Sequence, residues 1–263
     1  MFDDTSIHAK CLMGESINIG VCTLHPLKLI DIIRDISFDL YNQYLSILCV
    51  TSDEIKEMLN IEFDEEYDDV IIDPFEYLIS CCSMDLKFKD MAIAALKCFI
   101  KESIEFSPHG YFFINNINEQ RYINKENFQI ITNILKQQNC ISLESKKKCK
   151  PKNATARSHL KKLKQIKAKE SKKKSNEIPN IISAVSAKHP SINFFNIGNL
   201  TMYQLIDTYK RLNMIDDYFI NVESLLHGAS KNDIKLIHWA ANEPGIIKNT
   251  EVLTLDDLVK TQK

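Results

Sequence analysis

KFKDMAIAALKCFIKESIEFSPHGYFFINNINEQRYINKENFQIITNILKQQ, residues 87–138, carries two apolar periods side by side. From Lys87 to Glu102 the residues Met91, Ile93, Ala94, Leu96, Cys98, Phe99 and Ile100 cluster at helical steps, which predicts a helix. Ile104–Phe106 and Tyr111–Ile114 are β-branched and aromatic, and Ser107-Pro-His-Gly110 between them is turn chemistry, so a β-hairpin follows. Helical spacing returns from Lys125 to Gln138, with Phe128, Ile131, Ile134 and Leu135 inward and Asn124 placed to cap. An N-terminal domain containing helix, hairpin and helix is α+β.

Toward the N-terminus the same reading continues. In CLMGESINIGVCTLH, residues 11–25, Gly14-Glu15 stands between two short apolar stretches, which predicts another hairpin turning at Gly14. Pro26 is placed at a first helical position. Leu29, Ile32, Ile33, Ile36, Leu40, Tyr44, Ile47 and Leu48 then predict one or two amphipathic helices over 27–49. Thr51-x-x-Glu54 has capping-box spacing, with Val50 and Ile55 as its staple, and opens a short helix to Leu59. The acidic run 62–69, EFDEEYDD, reads as a solvated linker, and Pro74 opens a helix through Cys82.

Beyond Cys140 the composition changes. Residues 145–175 hold fourteen Lys or Arg against one acid, a net of +13, whereas residues 1–144 carry a net of −13. Such a block repels itself and stays solvated, so 145–176 is expected to be a basic, flexible or partly helical linker. Its functional reading is salt-sensitive, sequence-independent contact with nucleic acid through Lys146, Lys147, Lys148, Lys161, Lys162 and Lys164. The stretch lacks aromatics for base stacking, which limits that contact to weak, non-specific binding.

Residues 177–244 read as an all-α module. Pro179–Lys188 is helical, and Thr201-x-x-Gln204 forms a second capping box that starts a helix at Met202 running through Leu212. Val222–Leu226 and Asn232–Ala241 are shorter candidate helices, the second carrying the single tryptophan, Trp239. Tyr203, Tyr209, Tyr218 and the pair His238-Trp239 sit at spacings typical of core aromatics. Residues 245–263 are expected to form a loosely ordered tail. The fold class is therefore mainly α with two small β-hairpins, in an α+β domain over 1–144 and an all-α module.

Six Gly and seven Pro in 263 residues disfavour glycine-rich nucleotide-binding folds. No P-loop, GxGxxG, GxSxG or HExxH pattern occurs, so neither a catalytic residue nor a cofactor is assigned. His8-x-x-Cys11 and Cys22-x-x-His25 have zinc-type donors at two-residue spacing, and His8, Cys11, Cys22 and His25 form a low-ranking metal set. Buried thiols on two hairpin strands are the favoured account of them. The eight cysteines show no CxxC pair and follow a polar, acidic start, which reads as reduced thiols without a leader. No apolar run is long enough for a membrane span.

Two longer segments carry a family likeness. IISAVSAKHPSINFFNIGNLTMYQLIDTYKRL, residues 181–212, and INVESLLHGASKNDIKLIHWAAN, residues 220–242, resemble proteins encoded by tailed bacteriophages and prophages of Gram-positive hosts. GESINIGV at 14–21 and NILKQQNC at 133–140 are similar too. The resemblance implies a non-enzymatic tail-morphogenesis protein of the tail assembly chaperone type, with other phage tail proteins as partners. It implies the host bacterial cytoplasm, and the virion as a second place. Met202, Tyr203, Leu205 and Trp239 are the candidate partner-binding residues on that view. The alternatives are a nucleic-acid-associated accessory protein using 146–174 and, lower, a zinc- or cysteine-dependent enzyme.

Overall fold

The computed structural model describes residues 4–59, 71–107, 110–116, 119–141, 177–230, 234 and 236–241. The expected linker 145–176, the acidic run 62–69 and the tail 245–263 lie outside the described residues. The architecture is mainly α with two small antiparallel sheets. The chain divides into two compact units, Met1–Ile178 with Phe195–Gln204, and Pro179–Phe194 with Leu205–Lys263.

The first unit opens with a helix the sequence reading missed, α1 (Asp4–Met13). Gly14 at φ +68° ends it, where Gly14 N–H bonds Cys11 O and Glu15 N–H bonds Lys10 O. This paired closure satisfies helix-end carbonyls and wants a left-handed residue, so Gly14 is a helix stop. The expected turn at Gly14 is thereby corrected: the hairpin is β1 (Ile17–Asn18) with β2 (Thr23–Leu24), and it turns at Gly20, φ +88°.

Pro26 does not open a helix, because Lys28 is extended and bridges Thr201 while Leu29 N–H bonds Leu200 O at 2.9 Å. Those long-range pairings satisfy backbone groups that a helix would otherwise use. Helical structure starts at α2 (Leu29–Asp31), runs into a π turn over Ile32–Ile36 and breaks at Ser37, φ 79°. The stretch 27–49 thus splits in two, the second part being α3 (Phe38–Leu48).

The capping box at Thr51 is present in both directions and opens α4 (Ser52–Met58). Asp73 caps α5 (Pro74–Met84), accepting from Phe75 and Glu76 N–H at 3.0 Å. Asp85 caps α6 (Leu86–Ile100), which buries Ala92, Ala95, Leu96, Phe99 and Ile100, a stripe at three- and four-residue steps. Next comes a sheet in the order β3 (Ser103–Phe106), β4 (Phe112–Asn116), β5 (Glu119–Ile123). Ile104 faces Ile114 and Phe106 faces Phe112, so the predicted hairpin is there and a third strand extends it. The helix α7 (Lys125–Gln138) follows its Asn124 cap and buries Phe128, Ile131, Ile134 and Leu135 as expected. Phe128 meets Phe75 at 5.2 Å between ring centres, and Phe99 meets Tyr41 at 5.9 Å, tying α5 to α7 and α3 to α6.

The later helices are α8 (Glu177–Lys188) and α9 (Met202–Leu226). Thr201 N–H bonds Gln204 Oε1 at 2.9 Å and Gln204 N–H bonds Thr201 Oγ1 at 3.3 Å, closing the second capping box. The helix it starts runs without a break to Leu226, so Val222–Leu226 is its last turn rather than a separate element. Gly228 at φ +92° then closes it as Gly14 closes α1. In the second unit, Lys188 Nζ pairs with Asp216 and joins α8 to α9. The expected helix over 232–241 is not formed by its described residues. Instead Arg211 Nη1 donates to Trp239 O at 3.1 Å and Ala241 O at 2.7 Å, and Ala241 N–H turns back on His238 O. A cation from α9 thus holds the carbonyls of a turn at 238–241.

Candidate functional site

Of the four zinc-type donors, the two histidines are engaged by other partners. His8, on α1, has Nδ1 2.9 Å from the Tyr203 hydroxyl, and His25 Nδ1 stands 2.8 Å from Ser16 Oγ. Cys11 and Cys22 are 1% and 0% exposed, and burial pushes their thiols up to about 11 and about 12. A buried thiol that holds its proton so tightly is a poor nucleophile at neutral pH. Burial, then the Lys101 charge, lowers the His25 pKa. Among the described residues no three His, Cys, Asp or Glu gather as a metal site, which corrects the zinc reading of His8, Cys11, Cys22 and His25. None of the seven described cysteines is in a disulfide.

A crevice in the first unit is bounded by Leu27, Tyr41, Phe99, Gln138, Asn139 and Met202, with about 180 Å³ of empty volume including the part open to solvent. The Tyr41 hydroxyl donates to Asn139 Oδ1, and Asn139 Nδ2 donates to Leu135 O at 2.8 Å. Burial raises the Tyr41 pKa far above its ordinary value, so the phenol stays protonated and acts as a donor. Gln138 is 3% exposed, and neither atom of its amide has a hydrogen-bond partner among the described residues. The crevice is smaller than the roughly 300–1,000 Å³ typical of small-molecule sites, so it reads as an imperfection in the core.

Of the expected partner-binding residues, three are core. Met202, Tyr203 and Leu205 are 8%, 6% and 0% exposed, which corrects their assignment to a free surface. The capping box explains this: it anchors the start of α9, and Gln204 Nε2 also donates to Leu12 O at 2.8 Å. Trp239 is partly exposed and stacks on His238, whose ring also meets Tyr218. Lys146, Lys147, Lys148, Lys161, Lys162 and Lys164 lie outside the described residues.

The apolar surface that α9 does offer lies further along. Past Leu205 none of its residues is fully buried, and Phe219, Ile220 and Leu226 are open to solvent. The signal was in the sequence, because Leu212, Ile215, Phe219, Val222 and Leu226 continue the three- and four-residue steps after Leu205. Reading the helix as ending at Leu212 hid it. Among the described residues no helix is long and apolar enough to cross a membrane.

No curated protein and no solved structure matches the chain. Residues 169–243, which include α8 and α9, match the family model described as the YomV second domain, and this phage- and prophage-type domain marks that part of the chain as phage-associated.

Proposed function

We propose that the chain is a non-enzymatic assembly protein of a tailed phage or prophage, acting in the manner of a tail assembly chaperone. Its partners are other structural proteins of the tail, met in the host bacterial cytoplasm. The observation that carries this reading is the match of residues 169–243 to a phage- and prophage-type domain. The open apolar residues on α9 support it further. A chaperone of self-assembling subunits needs adaptable apolar surface that it can give up again, and Phe219, Ile220 and Leu226 supply such surface on a rigid helix.

The test is an in-frame deletion of the gene in a lysogen, followed by induction and electron microscopy of the lysate. Filled heads without tails, restored to complete particles by the gene in trans, are the expected result. Complete particles at undiminished titre would reject the role.

A second reading has one specific observation behind it, the fourteen cations between residues 145 and 175. That density suits weak, sequence-independent contact with a phosphate backbone. It belongs beside the assembly role rather than in place of it.

A further inference from the structure

We propose that the distal half of α9 joins copies of this chain to one another as a parallel coiled coil. The seam is written in the helix: counting Leu205 as position a of a heptad, the a positions are Leu205, Leu212, Phe219 and Leu226, and the d positions are Thr208, Ile215 and Val222. Lys210, Asp217 and Ser224 occupy the positions opposite the seam, and all three are polar. Apolar residues at a and d repeating every 3.5 residues are the pattern that packs one helix into the holes of another.

The structure divides this seam into a used part and an offered part. Leu205 is 0% exposed, whereas Phe219 is 61% and Leu226 81% exposed. Contacts within the chain lie on both flanks of the offered part. Lys188 pairs with Asp216 on one side, and on the other Arg211 and Tyr218 meet the segment at Trp239–Ala241 and His238. The arc between those contacts is the one that holds Ile215, Phe219, Val222 and Leu226.

The flanking residues Arg211 and Asp216, whose charges are met within the chain, still let a second copy lie parallel. In a parallel pair of these helices each g position faces the e position five residues on in its neighbour. Arg211 then faces Asp216 of the other copy and Tyr218 faces Glu223, so no like charges meet. An antiparallel pair would set the e positions, Asp216 and Glu223, against one another, which is unfavourable. Leu and Phe at a with Ile and Val at d favour three or four strands over two.

This goes beyond the assembly role: with no tail subunit present Phe219 and Leu226 close on other copies of the chain, a contact that a subunit would displace. Sedimentation or light scattering of the full chain should give a multiple of its 30.3 kDa mass, three or four chains being expected. Phe219→Ser and Leu226→Ser should each return that mass to a single chain with an unchanged circular dichroism spectrum, because both side chains already face solvent. Ile220→Ser, equally exposed but off the seam, should leave the assembly intact. Leu226→Cys should form an intermolecular disulfide on mild oxidation that the unaltered chain does not form, since a positions meet in a parallel pair. A single-chain mass throughout the micromolar range, equal loss in Ile220→Ser, or no cross-link through Cys at 226 would overturn the proposal. None of these bears on the lysogen test, so the two readings fail separately.

Discussion

Replacing Gln138 by Met should make the first unit more stable. Gln138 ends α7, is 3% exposed, and leaves both Nε2 and Oε1 without a partner among the described residues. An amide taken out of water without compensation costs about 1–3 kcal/mol. Met has nearly the same length and volume, so Gln138→Met removes that cost without opening a cavity. The expected gain is therefore about 1–3 kcal/mol, before any benefit from burying the thioether. With a urea m value of about 2 kcal/mol/M the midpoint should rise by roughly 0.5–1.5 M. The assay is urea unfolding followed by far-UV circular dichroism, with hydrogen exchange over α7 to assign the transition to the first unit. A midpoint that stays put or falls would refute the reasoning, because it would mean that the amide is well partnered and contributes to the fold.

Other consequences follow from single positions. Gly14→Ala should destabilise by about 1 kcal/mol or more, read as a lower Tm, because φ is +68° and a new Cβ would stand 3.2 Å from Gln204 Nε2. Asp73→Ala should cost about 1 kcal/mol at neutral pH through loss of the α5 cap. Burial acts upward on the Asp73 pKa, but hydrogen bonds from Glu76 N–H, Lys125 and Phe75 N–H outweigh it and hold the carboxyl below its usual value. Its contribution is thus complete above the unfolded carboxylate pKa and fades as pH falls through the lower folded one. The stability difference between the unaltered chain and Asp73→Ala should accordingly narrow in acid; a constant gap would contradict the pairing. Burial pushes the thiols of Cys22 and Cys49 up to about 12, so both should label with a thiol reagent at pH 8 only after unfolding. If the basic segment contacts phosphates, changing Lys146, Lys147, Lys148, Lys161, Lys162 and Lys164 to Gln should lower the salt needed for elution from heparin. Unchanged elution would end the nucleic-acid reading.

How much of this was legible depends on how local each signal is. The capping boxes at Thr51 and Thr201, the Asn124 cap and the apolar stripe of α7 are written within a few residues, and all of them formed. Gly14 misled because a left-handed glycine serves a hairpin turn and a helix end equally well. Residues 119–123, EQRYI, hold too little apolar alternation to announce a strand, and β5 exists because β4 pairs with it. The stretch 232–241 has helical spacing, but its described residues 238–241 form a turn held by Arg211, a partner more than twenty residues away that local spacing does not announce. The metal set failed for a similar reason, since the partners of His8 and His25 cannot be read from Cys and His spacing. At the start of α9, apolar character was taken for a surface where it meant anchorage. The free apolar surface lay one heptad beyond the predicted end of the same helix.

The short return of Phe195–Gln204 to the first unit bears on how this protein could change by recombination. Inside the matched family segment, residues 169–243, lie residues that complete the other unit. Leu200 and Thr201 pair with Leu29 and Lys28, and Gln204 holds Leu12. A swap that exchanged 169–243 between two phages would bring a foreign piece into a resident core. The Leu200 and Thr201 pairings are main-chain bonds that any donor can keep, so the demand on such a swap falls on position 204, whose side chain must still reach Leu12 O.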